Sequence, residues 1–172
     1  ADHMGMLGTA INALALEDAL ERLGVPCVVL SAVEMQRFCD TYSARAAKGA
    51  LDAGKVVIFA CGSGCPIFST DTAAALRAAE IGADVLLLAK NVDAVYSDDP
   101  KRNPDAVRYT RLSYERVVQE GLRATDLTAI TLCREQHIPI RVFALEKIES
   151  IFEDDSVGTC IGEAEQACPC CE

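Results

Sequence analysis

The sequence predicts an α/β fold, a three-layer αβα sandwich with a mainly parallel sheet. Three observations carry this prediction. Short, continuously apolar runs (CVVL at 27–30, KVVIFAC at 55–61, DVLLLA at 84–89) alternate with longer amphipathic or alanine-rich stretches. Strands that are apolar on both sides of the pleat belong to sheets covered on both faces, the usual setting of parallel pairing. Gly24, Gly54 and Gly82 close the intervening stretches, where a left-handed residue stops a helix. A chain of 172 residues, 51% of them hydrophobic, is also long enough to bury a sizeable core.

The elements follow in order. Residues 5–23 space Met6, Leu7, Ile11, Leu14, Ala15, Ala19 and Leu23 by threes and fours, an amphipathic helix ended by Gly24. A buried strand follows Pro26. Residues 34–53 read as one or two helices, 55–61 as a strand, 62–70 as a loop, 71–81 as a helix and 84–89 as a strand. The polar stretch 90–108, broken by Pro100 and Pro104, is a long loop of the kind that often carries function. Tyr109 to Leu112 is a short strand, and Ser113 caps a helix running to Gly121. Residues 126–137 form a helix, 140–144 (IRVFA) a last strand, and 146–152 a short helix. The domain is expected to span 1–152, with 153–172 a disordered cysteine-rich tail.

Composition removes several functions. A net charge of -10 leaves too little Lys and Arg for a broad nucleic-acid surface, though a nucleotide needs only local donors and a metal ion. The apolar runs are too short to span a bilayer, and no signal-peptide pattern opens the chain. Nine cysteines, most of them scattered through core-like segments, indicate free thiols in a reducing, cytoplasmic compartment.

In parallel α/β sheets ligands bind beyond the carboxyl ends of strands. Two loops leave such ends here. Gly62-Ser63-Gly64-Cys65-Pro66-Ile67-Phe68-Ser69-Thr70 follows KVVIFAC, and Asp71 then opens a helix. Its glycines allow a ligand to approach the backbone, and the helix start favours phosphate. A Gly-x-Gly by itself reads equally as an ordinary strand-to-helix turn. In the second loop, 90–100, Tyr96 has a ring to stack on a base, and Asp93 or Asp99 has oxygens for ribose hydroxyls. Read alone, it is equally a solvated acidic loop.

Four segments together resemble the bacterial uridylate kinases of the amino-acid-kinase family. ADHMGML at 1–7 resembles the segment after that family's glycine-rich loop. GSGCPIFSTDTAAALRAAEIGAD at 62–84 resembles its acceptor loop and helix, usually GTGNPFFTTD. KNVDAVYSDDPKRNPDA at 90–106 resembles TKVDGVYxxDP, and TDLTAITLCREQHIPIRVF at 125–143 resembles MDxTAxxLxxxxxxPIRVF.

The resemblance implies an amino-acid-kinase-like fold and a nucleoside monophosphate kinase moving phosphate from ATP to UMP, with Mg²⁺. It implies UMP binding by Asp2 and by Ser63, Gly64, Cys65, Pro66, Ile67, Phe68, Ser69 and Thr70. Asp71 and Asp126 would orient substrates and metal, and Lys90, Tyr96 and Asp99 would contact the ATP adenosine. A homohexamer and a GTP effector are further implications, with helix 5–23 a candidate subunit contact. The sequence departs from the pattern at Cys65, Ile67, Lys90, Ala94 and Thr125. The family's Lys-x-Ser-Gly-Glu turn and Gly-Gly-Gly-Asn loop do not precede Ala1, so the 172-residue form is expected to turn over UMP very poorly. The rivals are an aspartate or carbamate kinase of the same fold, and a non-catalytic, molybdate-storage-like binder of nucleotide or oxyanion.

The remaining chemistry-bearing residues read as ordinary. His3 and His137 lack ligand spacing. Cys160 with Cys168, Cys170 and Cys171 has enough thiols for zinc, but not the usual paired spacing.

Overall fold

The computed structural model describes residues 2–122, 125–154 and 156–163. The chain divides into two compact units, Ala1–Ala73 and Ala74–Glu172.

Unit 1 holds α1 (Asp2–Arg22), β1 (Cys27–Ser31), β2 (Asp40–Thr41), α2 (Ala44–Asp52), β3 (Val56–Ala60) and the start of α3 (Thr70–Ile81). Its sheet has the order β2-β1-β3, with both pairings parallel. The β1–β3 ladder runs from Cys27 opposite Val56 to Ser31 opposite Ala60. Val29, Ile58, Ala60 and Cys61 form the core with Ala10 and Ala13 of α1. Two alanines on the inner face let the helix backbone come close to the strands. The opposite side of α1 is also apolar, and Met4, Leu7 and Ile11 are exposed. Within 34–53 only Ala44–Asp52 is α-helical. Ser43 has extended backbone and its hydroxyl accepts from the Ala46 amide, so the helix starts there. Asp40 and Thr41 instead pair with the edge of β1.

Unit 2 contains β4 (Leu86–Lys90), β5 (Val95–Tyr96), β6 (Arg108–Tyr109), β7 (Arg111–Ser113), α4 (Tyr114–Gln119), α5 (Leu127–Glu135), β8 (Ile140–Ala144) and β9 (Thr159–Gly162). The sheet order is β4-β8-β9-β7, parallel except between β8 and β9. The expected α/β class with mainly parallel pairing therefore holds in both units. Strands β5 and β6 form an antiparallel ribbon inside the long loop. The expected cap is in place, Ser113 accepting from the Arg116 amide; the helix expected over 126–137 spans Leu127–Glu135, with Asp126 as its cap, accepting from the Ala129 amide. The expected helix at 146–152 is a single 3-10 turn, Leu145–Lys147.

The boundary at 152 needs correction. Residues Thr159–Gly162, assigned above to a disordered tail, form a strand between β7 and β8, with Thr159 and Ile161 fully buried. Arg141 holds the connection that delivers this strand. Its side chain is buried, and it donates to the carbonyls of Val157 (3.0 Å), Ile151 (3.3 Å) and Asp154 (3.0 Å). Gly158 is required at its place. Its φ is +82°, and a Cβ there would lie 2.3 Å from the Val142 carbonyl oxygen. Cys168, Cys170 and Cys171 lie outside the described residues. Cys27, Cys39, Cys61, Cys65, Cys133 and Cys160 are free thiols. Among the described residues no helix is long and apolar enough to cross a membrane.

Candidate functional site

The first loop leaves the carboxyl end of β3 through a run of left-handed backbone. Cys61 (φ 65°), Gly62 (59°), Gly64 (78°) and Ile67 (80°) all have positive φ. Cys61 and Ile67 are not glycine, so the local conformation is imposed by their surroundings. At Cys61 those surroundings are packed. The side chain is fully buried, and its amide donates to Thr9 Oγ1 at 2.9 Å. The Ser31 hydroxyl donates to its sulfur at 3.4 Å. Gly64 lies against the chain after β1, where a Cβ would stand 2.9 Å from the Ala32 carbonyl oxygen. The Ser63 hydroxyl then accepts from the Cys65 amide at 3.2 Å.

The far side of the loop is anchored at α3. Ser69 Oγ accepts from the Thr72 amide at 3.0 Å, which caps the helix, and Thr70 and Asp71 form its first turn. Between these anchors, Pro66, Ile67 and Phe68 are exposed. The Ile67 amide donates to Asp2 Oδ2 at 2.9 Å, across a separation of 65 residues. The structure thus joins Asp2 to the 63–70 loop, two segments that the sequence connects only through resemblance.

In unit 2, a cavity of about 640 Å³ opens beyond the end of β4. Lys90, Asn91 and Val92 line one side, and Val117, Leu122 and Ile130 are among the apolar residues of the other. Thr125 also lines it. The cavity is open to solvent, and apolar walls with a few polar groups are the usual lining of a small-ligand site. Of the three residues expected at an adenosine, Lys90 lines this cavity. Tyr96 and Asp99 are engaged within their own loop. The Tyr96 hydroxyl donates to both oxygens of Asp93 at 3.1 Å, and burial followed by the Asp93 carboxylate pushes its pKa up. Asp99 accepts from the Lys101 amide at 2.9 Å and faces Arg102.

The loop carrying them is ordered by local polar pairs. Asp98 accepts from the Asp99 amide and from the Asn103 side chain, and these bonds hold its carboxyl below the usual range. Ser97 and Val107 exchange two bonds of 2.9 Å. Asp126 accepts from the Ala129 amide at 2.7 Å, so that oxygen serves as a helix cap. His137 is exposed, with Nδ1 3.9 Å from Glu163. The cluster with metal-ligand geometry among the described residues is Glu17, Glu21 and Cys27, at the amino-terminal end of β1 and not in either loop. Thr9, Ala32 and the apolar cavity wall were not foreseen. Thr9 acts through a hydroxyl that meets the Cys61 amide 52 residues away, and Ala32 through its backbone carbonyl; aliphatic residues on α4 and α5 look the same in sequence whether they face a core or a cavity.

Comparison with known proteins places the chain among relatives. The amino acid kinase family profile matches residues 1–144. The uridylate kinase of Bartonella henselae is 54% identical over 146 residues, covering 85% of this chain and 61% of that protein. The uridylate kinase of Legionella pneumophila (strain Lens) is 52% identical over 164 residues, covering 94% of this chain and 66% of that protein. The chain therefore spans less than two thirds of the length of these relatives. The crystal structure of UMP kinase from Ureaplasma parvum superposes with a TM-score of 0.90 at 39% identity, covering 95% of this chain and 71% of that one.

Proposed function

We propose, on the premise that this chain belongs to the amino acid kinase family, that it supplies nucleotide-binding parts of a UMP kinase. The reaction transfers the γ-phosphoryl group of ATP to UMP and yields UDP and ADP, a step of pyrimidine nucleotide synthesis in the cytoplasm. The supporting observation is the loop from Gly62 to Thr70. It pairs left-handed backbone with hydroxyls at Ser63 and Ser69, and it is tied to Asp2. The amides of Cys61, Gly64, Cys65 and Ile67 are spent holding the loop in shape, and α3 opens at its end, where the amino terminus of a helix favours an anionic group.

In this reading Ser63 to Thr70 hold the uracil and ribose, with Asp2 accepting a ribose hydroxyl. The cavity at Lys90 takes the adenosine. Lys90 adds positive charge near the donor phosphates, and Tyr96 and Asp99 keep the following loop in shape. Magnesium takes hard oxygen ligands, relying on one or two carboxylates plus phosphates. Asp71, in the first turn of α3, has that chemistry and would hold it; Asp126 has the same chemistry, with one oxygen on the Ala129 amide. When bound, the ion supplies charge neutralisation and alignment, which phosphoryl transfer needs more than covalent help. No general base is required, because the attacking phosphate oxygen of UMP is already anionic. A hexameric assembly and GTP regulation belong to the same reading. The exposed stripe of Met4, Leu7 and Ile11 on α1 supports a subunit contact there.

Titration calorimetry of the chain with UMP, CMP, aspartate, carbamate and molybdate tests this, alongside ATP with Mg²⁺. Selective UMP binding and separate ATP binding are expected. Binding of aspartate or carbamate in preference to UMP would assign another kinase of the fold. Molybdate binding without UMP binding would assign a storage-type protein.

A further inference from the structure

We infer that Asp2 is a positioning residue that sets the acceptor loop before any nucleotide arrives, through its bond to the Ile67 amide. The inference deepens the proposed function and rests on it for the identity of the ligand. Its structural half stands without a ligand.

The loop is fixed at both ends by different means. From Cys61 to Cys65 it is held by Thr9, Ala32 and the Ser63 hydroxyl. From Ser69 onward it is held by the cap of α3. Across Pro66 to Phe68, the polar contact to the rest of the described chain is Ile67 N–H to Asp2 Oδ2. The side chain of Ile67 offers no packing in return, being 92% exposed. Yet Ile67 has φ 80°, a conformation that β-branched residues rarely adopt. A strained residue with an exposed side chain keeps its conformation only if something holds its backbone. The Asp2 carboxylate is the group that does so. It stands in the first turn of α1, and one to two turns on, the same helix is tied to the start of the loop, where the Cys61 amide donates to Thr9 Oγ1 and the Cys61 thiol to the Met6 carbonyl.

A carboxylate has two oxygens and several acceptor positions. Asp2 uses Oδ2 on the amide. Contact with a nucleotide hydroxyl then does not require it to release the loop. Asp2 would act twice, once on the loop and once on the ligand. Acting on the loop lowers the ordering cost that binding otherwise carries.

Two measurements on the full chain test this. The first is backbone ¹⁵N relaxation of the ligand-free protein. Order parameters at Ile67 and Phe68 are expected near ~0.85 in the parent and below ~0.6 in Asp2→Ala, with Asp2→Asn between them. Unchanged order in Asp2→Ala would overturn the inference, whatever the chain binds. The second is a double-mutant cycle on UMP affinity with Ile67→Gly. Glycine adopts φ 80° without strain, so Asp2→Ala is expected to cost at least about fivefold less affinity in the Ile67→Gly background. Equal losses in both backgrounds would mean that Asp2 acts on the ligand alone, and would overturn the positioning role. If the parent binds no UMP, the proposed function fails, and the relaxation result still decides the loop.

Discussion

Replacing Arg141 by Met is the most demanding test of how unit 2 is built. The guanidinium is 1% exposed and donates to three carbonyls, those of Ile151, Asp154 and Val157. Hydrogen bonds from a charged group contribute about 1.5–3 kcal/mol each, so losing three removes roughly 4.5–9 kcal/mol. Burying a guanidinium carries a desolvation cost, and Met, which fills much of the same volume, avoids it. The two effects oppose, and a net destabilisation of about 3 kcal/mol remains, because the three carbonyls keep their burial without a donor. Native-state hydrogen exchange of β8 and β9 amides is the suitable assay, since it localises the loss. Protection should fall roughly a hundredfold there. Arg141→Lys should lie between, having charge but not the planar fork. A loss below about 1 kcal/mol for Arg141→Met would refute the reasoning, and would mean that the 151–158 connection is held by packing alone.

Two further outcomes follow from the titratable groups. The Asp98 carboxyl is lowered by its bonds to the Asp99 amide and Asn103, so its contribution is complete above the ordinary carboxylate pKa and is lost as pH falls through the lowered folded value. NMR signals of the Asn103 side-chain amide should therefore hold steady at neutral pH and collapse toward random-coil positions only below about pH 4; collapse near pH 6 would contradict this. Burial raises the Cys133 thiol to about 11, whereas Cys65 is exposed on the acceptor loop. Under native conditions a thiol reagent at pH 8 should modify Cys65 quickly and Cys133 only on unfolding, read by peptide mass mapping; early labelling of Cys133 would contradict the packing of α5.

Strands β1, β3, β4 and β8 were legible because each is an apolar run covered on both faces. Strands β2 and β5 are two residues long and have no period to read. β9 escaped because TCIG becomes buried only through partners at 111–113 and 140–142. At the acceptor loop, the glycines marked Gly62 and Gly64 as turning points. Nothing about a cysteine or an isoleucine announces positive φ, so the conformations of Cys61 and Ile67 depend on contacts that only the fold creates. Lys90 is assigned through the resemblance alone; in the fold it ends β4, one residue past the expected strand, and lines the cavity there. Tyr96 and Asp99 sit in the same loop, but their immediate partners are the loop's own groups, and polar loop residues in a sequence do not say which way they turn.

One hydroxyl in unit 2 has consequences beyond its size. Thr159 Oγ1 donates to the Tyr109 carbonyl at 2.6 Å and accepts from the Val95 amide at 2.8 Å. Val95 and Tyr109 are themselves opposite one another in the β5–β6 ribbon. A single side chain on the sheet thus rivets both arms of the ribbon at the same rung. The base of the excursion from Lys90 to Arg108 is consequently fastened to β9, so that a load on the ribbon reaches a strand some fifty residues from Tyr109 in the chain.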